Sequence, residues 1–488
     1  MTGARSIDTS QHEPLELSRR LGWVGAGAIL AGSVIGTGIF LVPATIAREV
    51  GSFAWVLVVW LAGGLLSLAG ALSYAELGAA FPHAGGEYVF LRRAYGPLWG
   101  FLYGWQQVVI GKTGSIASMA TAFAIFVGFL WSDVKDDWIR IPLGFGVWAL
   151  TGTQILALSA ILGFTVVNYF GIGFGGAVQS FLTLLKVTAI VVLAALALGS
   201  EQGSWARLAL TGDQFSLPSG GFAAFAAALS AALWAYDGWN NLTMIGSEIR
   251  DPERTIPRVL VLGLFFVMGV YLLANLAYFY VLPFATVSRS EHVAQEVASA
   301  LFGPWGSTAI TLAAIVSTLA ALNGAVLTGS RIFYAMARDG LFFRVLARLS
   351  PAHRTPVNAL LLQALFASLL VLIFGHAERA FERLFNYAIF GLWGFYGITA
   401  VAVIVLRMKA PDLPRPYHTV GYPWVPGIFA VVAGAFCASM VSRSPAETGI
   451  GMAFLATGIP FYLYFRRSLE TPGDAKGKRW TGGRVKKS

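Results

Sequence analysis

Long apolar runs, separated by short polar connections, recur along the chain from Leu21 to Phe465. Two of them read 56-WVLVVWLAGGLLSLAGALSY and 259-VLVLGLFFVMGVYLLANLAYFYV. Each exceeds the roughly 18–20 residues that a helix needs to cross bilayer hydrocarbon. Backbone in lipid must satisfy its own hydrogen bonds, so a spanning segment is a helix or part of a closed barrel. The runs are continuous rather than alternating, which excludes a barrel. The pattern predicts an all-α membrane protein of about twelve transmembrane helices. The spans fall at 21–46, 53–79, 96–130, 145–168, 173–199, 221–247, 257–283, 305–334, 357–376, 382–407, 425–443 and 447–466.

Composition agrees: 56% of the residues are hydrophobic and 12% charged, about half the charged fraction of a soluble domain. Charge adds an orientation. Of 34 Lys and Arg residues, 24 fall in alternate segments that include the N-terminal segment and the C-terminal tail, and 8 in the others. Lys112 and Lys186 lie within spans. Basic residues collect on the cytoplasmic side, so the imbalance predicts a cell membrane protein with both termini in the cytoplasm. The net charge of +10 is read as topogenic, with no nucleic-acid partner. The first twenty residues are polar and carry Glu13, Glu16, Arg19 and Arg20, so no cleavable signal peptide is expected. The single cysteine, Cys437, cannot form an internal disulfide.

Three connecting segments are more than turns. The stretch 80-AFPHAGGEYVFLRRAYGP is apolar, Gly-rich and too short to span, and reads as re-entrant or interfacial. The segment 288-SRSEHVAQEVASALFG reads as an amphipathic cap, and 335-AMARDGLFFRVLARLSPAHRTP spaces Arg344 and Arg348 as on a surface helix. Structural roles are expected for all three.

Two spans carry interruptions. Span one contains 32-GSVIGTGIF, where three glycines in seven residues, with Ser33 and Thr37, weaken the helix at mid-membrane. Span six contains 234-WAYDGWNN, where Asp237, Gly238, Asn240 and Asn241 break an Ala-rich run. Small-residue packing between helices accounts for Gly32 and Gly36. It does not account for an acid and paired asparagines at bilayer depth, where polar groups face a cavity or a partner. The interruptions lie five spans apart, and an odd separation inverts the second copy in the membrane. Paired broken helices of this kind mark the binding site of an inverted-repeat transporter. A broken helix offers free N–H groups for a carboxylate and free carbonyls for an ammonium, as a zwitterion requires.

The motif 36-GTGIF, the segments 181-FLTLLKVTAI and 233-LWAYDGWNNL, and the later 330-SRIFYAMARDGLF together resemble the amino acid–polyamine–organocation superfamily. They are most similar to its L-type amino acid transporter branch and the prokaryotic relatives of that branch. The resemblance runs from about Leu21 to Arg467 and implies the leucine-transporter fold. It divides the chain into a cytoplasmic segment 1–20, a five-helix repeat 21–200, an inverted repeat 221–407, two further helices in 423–467 and a basic cytoplasmic tail 468–488. It implies sodium-independent amino acid transport by alternating access, with neutral L-amino acids and exchange favoured. Proton symport and cationic amino acid or polyamine transport are the alternatives.

By the same resemblance, the N–H groups of Thr37, Gly38 and Ile39, after Gly36, hold the substrate carboxylate. The carbonyls of Val34, Trp234 and Asp237 hold its ammonium beside Gly238. Trp234 is a gate over the substrate, and Asn240 lies near the substrate side chain. Asp237 departs from the small residue of the human L-type members; the contact there is a main-chain one. Trp239 is expected to pack against neighbouring helices. Lys186, an ammonium in 181-FLTLLKVTAIVVLAAL with no acid nearby in sequence, is costly in hydrocarbon. It must snorkel, donate to carbonyls or give up its proton. The family has a lysine here, which implies a fixed cation where sodium-coupled relatives bind sodium, bridging span one to span eight. Lys112 is open between a structural and a substrate-facing role.

The human L-type members join a glycoprotein through a cysteine after span three. The stretch 131-WSDVKDDWIRIP has none, so no disulfide-linked heavy subunit is expected. There is no GxxxxGK[ST] phosphate loop and no His/Cys metal cluster; no cofactor is implied. His83 and His292 fall in loops, and His353 and His418 in basic segments. A membrane-embedded enzyme would need a His, Asp or Ser cluster near one interface, and a channel a pore loop or charged rings. Neither pattern is present in the sequence.

Overall fold

The computed structural model describes residues 15–143, 146–210, 212–374, 378–443 and 445–470. Residues 1–14 and 471–488, which hold most of the N-terminal segment and the basic tail, lie outside the described residues. The elements in chain order begin with α1 (Trp23–Val34) and α2 (Gly38–Val50), bent by 45° at a three-residue break. Next come α3 (Phe53–Ala80), α4 (Glu87–Tyr95), and α5 (Pro97–Gln106) running through a π-helical turn at Gln107–Gly111 into α6 (Lys112–Leu130). An antiparallel hairpin, β1 (Asp137–Leu143) and β2 (Gly146–Thr151), leads to α7 (Gly152–Tyr169) and α8 (Ile172–Leu198). After them come α9 (Gly221–Ala235), α10 (Asn241–Met244), α11 (Pro252–Val281), α12 (Phe284–Arg289) and α13 (Val293–Phe302). The chain continues as α14 (Pro304–Arg338), α15 (Val357–Phe374), α16 (Glu378–Lys409), α17 (Trp424–Arg443) and α18 (Pro445–Glu470).

Among the described residues, ten helices are long and apolar enough to cross a membrane, and the bent pair α1–α2 makes an eleventh. The helix expected for span six, α9, is 15 residues long and stops at the predicted interruption. The molecule is a multi-pass helical membrane protein. Its outer surface carries Phe181, Leu184, Leu262, Leu361 and Val431 exposed. Such side chains would be a liability in water and are at home in lipid.

Two sequence expectations need correction. Span four starts at Gly152, not 145, because Gly146–Thr151 pairs as a strand with Asp137–Leu143. Thr151 then caps α7: its hydroxyl accepts from the Gln154 N–H, and the Gln154 side chain returns to the Thr151 N–H. This reciprocal box fixes the helix start. Arg344 and Arg348 do not share a surface helix. Only a 3₁₀ turn forms, at Arg344–Ala347, so a spacing of four was not enough. The segment 80–97, expected to be re-entrant or interfacial, contains the short buried helix α4. The expected amphipathic cap is α13, which buries Val293, Ala294, Val297 and Ala298 on one face.

The core is built around α1, α3, α8, α11 and α14. The first half of span one packs on α8, α11 and α14, and α2 packs on α9. One end of this core is locked by polar pairs. Leu21 and Ile249 bridge, with Leu21 N–H donating to Glu248 O at 3.0 Å and Arg250 N–H to Leu21 O at 2.8 Å. Glu248 receives Arg331 in a two-pronged pair at 2.8 and 2.9 Å, with both side chains almost fully buried. Arg407 grips Glu76 at 2.9 and 2.7 Å, and Arg92 pairs with Asp339. Breaking the buried Arg331–Glu248 pair would strand a charge and cost about 3–5 kcal/mol, whereas the partly exposed Arg92–Asp339 pair is worth far less.

Candidate functional site

Span one breaks where its glycines predict. Ile35, with ψ 87°, turns out of helical geometry and the helix does not resume until Gly38, so α1 ends in carbonyls without intrahelical partners and α2 begins with N–H groups in the same condition. Side chains from three other helices complete the carbonyl end. Lys186 of α8 donates its Nζ to Gly32 O at 2.7 Å and also to Ile35 O. Ser317 of α14 donates to Ile35 O at 3.3 Å and Gly36 O at 3.2 Å. Tyr271 of α11 donates to Val34 O at 2.9 Å and to Ala235 O of span six at 2.8 Å.

Lys186 is 1% exposed, so it does not snorkel, and among the described residues it makes no ion pair. Its partners are carbonyl oxygens, whose partial negative charge at a helix C-terminus favours a cation. Lys186 and Ser317 of α14 share the Ile35 carbonyl as acceptor.

Span six breaks at Tyr236–Asn240, between α9 and α10. Gly238 takes φ +107°, which disfavours any L side chain. A Cβ there would also come within 3.0 Å of Ser33 O. The two interruptions are therefore in backbone contact, and Gly238 is what allows it.

Beside this contact lies a cavity of about 160 Å³. Its walls bring together the predicted residues Trp234, Asp237, Gly238 and Asn240 with Ser33, Lys112, Gln107, Asn241, Trp393 and Tyr396. The polar side chains are linked. Lys112 donates to Asn241 Oδ1 and, at 3.4 Å, to Thr328 Oγ1. Asn240 Nδ2 donates to Glu87 Oε1 at 2.6 Å, and Tyr396 OH donates to Asp237 Oδ1 at 2.8 Å. Lys112 also lies in the field of both Glu87 and Asp237. Lys112 and Asp237 thus line the cavity and Glu87 is joined to it through Asn240, each group with polar neighbours, as buried charge demands.

Val34, Gly36, Thr37, Gly38 and Ile39 do not line this cavity. They sit at the adjoining break, with Val34, Gly38 and Ile39 buried. Gly32 and Gly38 have packing roles. A Cβ at Gly32 would run into Gln179 and Thr183 of α8, and one at Gly38 would lie 2.8 Å from Ala235 Cβ. Gly36, assigned with Gly32 to close packing by the small-residue reading, faces open space, with only Val34 O at 4.0 Å. Trp234 is 36% exposed at the cavity wall. Trp239 is buried against Tyr74, Tyr396 and Phe429, the packing role expected of it.

Lys112 resolves to a cavity-facing position. Glu87, Asn241, Gln107 and Tyr396 were not picked out by sequence reasoning as site residues. The available signals were an acid inside an apolar Gly-rich connection for Glu87 and the second of the paired asparagines for Asn241.

The profile of the family described as amino acid permease matches residues 21–462. The chain is 30% identical over 468 residues to the human b(0,+)-type amino acid transporter 1, covering 94% of this chain and 91% of that one. It is 31% identical over 456 residues to the serine/threonine exchanger SteT of Bacillus subtilis strain 168, covering 92% and 98%. It is also 31% identical over 455 residues to the large neutral amino acids transporter small subunit 2 of Oryctolagus cuniculus, covering 92% and 80%.

Proposed function

The chain belongs to the amino acid permease family, transporters rather than enzymes, and from that premise we propose that it is a sodium-independent exchanger of neutral amino acids. The observation that carries this reading is the seat of Lys186. Carbonyls at the end of a half-helix are the groups with which a broken transporter helix binds a coupling cation. Here Gly32 O and Ile35 O already accept from a buried ammonium. A second cation in the same pocket would meet like charge away from water.

In this reading the substrate carboxylate docks on the N–H groups of Thr37, Gly38 and Ile39, and its ammonium on the carbonyls of Val34, Trp234 and Asp237. Tyr271 uses one lone pair of the Val34 oxygen, and a carbonyl has two. The open space at Gly36 and the left-handed turn at Gly238 keep the unwound backbone accessible. The side chain enters the cavity beside Asn240, with Trp234 as the gate. Twelve spans, arranged as two inverted five-helix repeats and two C-terminal helices, would carry the alternating access. The protein would sit in the cytoplasmic membrane with both termini inside and work without a disulfide-linked heavy subunit. The exchange mode is favoured by the relative named as an exchanger.

The test is uptake into proteoliposomes. Replacing sodium with choline should leave uptake unchanged, and preloading with unlabelled amino acid should accelerate it. A strict sodium requirement would overturn the assignment, and loss of trans-stimulation would overturn exchange. One observation favours a second reading: the Asp237 carboxylate lines the cavity with Glu87 close behind it. That arrangement suits cationic amino acids or a proton-coupled cycle. Competition by lysine and arginine against labelled leucine, and accumulation driven by an inward pH gradient, separate these from neutral exchange.

A further inference from the structure

The face of α1 away from the cavity forms one wall of a second recess, of about 1160 Å³, between α1, α8 and α11. Its floor is made of small residues. Gly27 and Ala31 leave the space unfilled, a Cβ at Gly27 meeting nothing within 4 Å, while Gly263 lets α11 close on α1, since a Cβ there would lie 2.8 Å from Leu30 Cδ2. Its rims are apolar and exposed: Trp23 of α1, Phe181 and Leu184 of α8, Leu262 and Phe266 of α11.

The hydroxyls in the recess are occupied within the protein. Thr183 Oγ1 donates to Ala28 O at 3.0 Å, and Ser180 Oγ to Gly176 O at 2.8 Å. The deep part therefore presents no polar group in need of a partner.

One end differs. Arg250, just before α11, and Arg254 and Arg258 in its first turns line it, and all three are exposed. Among the described residues none of the three guanidiniums makes an ion pair or donates a hydrogen bond. Asp251 is the one acid on the recess wall. Basic residues at a span end need no ligand, since topology alone calls for them. A topogenic charge does not require an apolar trough beneath it, however. From Arg258 to Phe266 is eight residues, or about 12 Å of helix, enough to lead from a polar collar into hydrocarbon depth.

We propose that this recess is a site for one anionic glycerophospholipid. Its phosphate would lie on the arginine row and an acyl chain in the trough over Gly27 and Ala31. Three cations against one acid select a negative headgroup over a zwitterionic one, and the dry floor accepts a chain. The occupant would abut the back of the helix whose last carbonyls Lys186 holds.

The full chain, extracted from vesicles of phosphatidylcholine mixed with phosphatidylglycerol, should retain one phosphatidylglycerol by native mass spectrometry. The double variant Arg254→Gln/Arg258→Gln should weaken that retention about twenty-five-fold, the product of roughly fivefold for each arginine near an anionic surface. Gly27→Leu, which fills the trough and leaves the charge unchanged, should abolish it. Equal retention of both lipids by the wild-type chain would overturn the proposal. So would wild-type retention by either variant, or a mass of two chains with no lipid.

Discussion

Two lysines are buried at the centre of the bundle, and they are held in opposite ways. Lys186 sits on main-chain carbonyls of the broken span one, with no acid paired to it among the described residues. Lys112 sits among side chains, on Asn241 and Thr328, in the field of Glu87 and Asp237, and on the wall of a cavity. The first replaces a missing turn of helix: it satisfies acceptors that the break has orphaned. The second balances charge in a space that a solute can enter. Two ammonium groups at similar burial therefore lead to different expectations, one about the integrity of the break and the other about what binds beside it.

The largest effect is expected at Lys186. Lys186→Ala removes the side-chain donor to Gly32 O and one of the two donors to Ile35 O, and a buried acceptor left without a partner costs about 1–3 kcal/mol. Transport should fall by about a hundredfold, equivalent to roughly 2.7 kcal/mol, at near-normal membrane expression. Uptake by the purified variant in proteoliposomes is the measurement. If uptake stayed within about threefold of wild type, the idea that Lys186 holds the break together would be wrong.

Lys112→Met tests the other pole. It keeps most of the volume and leaves Glu87 and Asp237 without their base. Uptake of neutral substrates should drop about tenfold, while lysine and arginine gain in competition by a similar factor, about 1.4 kcal/mol. Lys112→Arg should restore much of the original preference. An unchanged competition order at reduced uptake would make Lys112 structural and erase the contrast with Lys186.

Trp234 and Trp239 sharpen the cavity side. Trp234→Ala should weaken transport by about tenfold or more without lowering thermal stability, since the ring is partly exposed at the cavity wall. Trp239→Ala instead empties a buried aromatic cluster and should cost about 3–5 kcal/mol of stability. Thermal unfolding of both variants in detergent, beside their uptake curves, separates the two. Equal destabilisation would mean that Trp234 is a packing residue like its neighbour.

How far the sequence led depended on whether a feature is written locally. Both breaks were legible, because clustered glycines and polar residues are costly inside a long apolar run unless the helix bends or faces a cavity there. Lys186 was legible for the same reason. The roles of individual glycines were not: Gly32, Gly36 and Gly38 share one motif, yet one meets Gln179 and Thr183, one faces open space and one meets Ala235. A substitution at Gly38 therefore disturbs the contact between α2 and α9 before it reports on any carboxylate, and Gly36→Ala is the cleaner probe. The hairpin before α7 reads as helix in the sequence because its apolar stretch is short and adjoins a real span. The capping box at Thr151 and Gln154 was the local sign that the helix starts later. Glu87 depends on tertiary structure, since its partner Asn240 lies 153 positions along the chain.

The smallest effect bears on why Lys186 matters. Ser317 donates to the same Ile35 carbonyl and also to Gly36 O, at 3.3 and 3.2 Å. It is a neutral donor at the long end of hydrogen-bond range, and its removal leaves Lys186 in place on Ile35. Ser317→Ala should therefore cost about 0.5–1.5 kcal/mol, the net worth of one such bond, or roughly a two- to tenfold loss of uptake. Sodium independence should persist, because the ammonium still occupies the pocket. If Ser317→Ala proved as damaging as Lys186→Ala, saturation of the carbonyls would be the essential property and the charge on Lys186 incidental. If Ser317→Ala left uptake unchanged and Lys186→Ala abolished it, the positive charge itself would be what the broken helix requires. Measuring both variants in sodium and in choline separates these outcomes, since only loss of the charge can open the pocket to a metal ion.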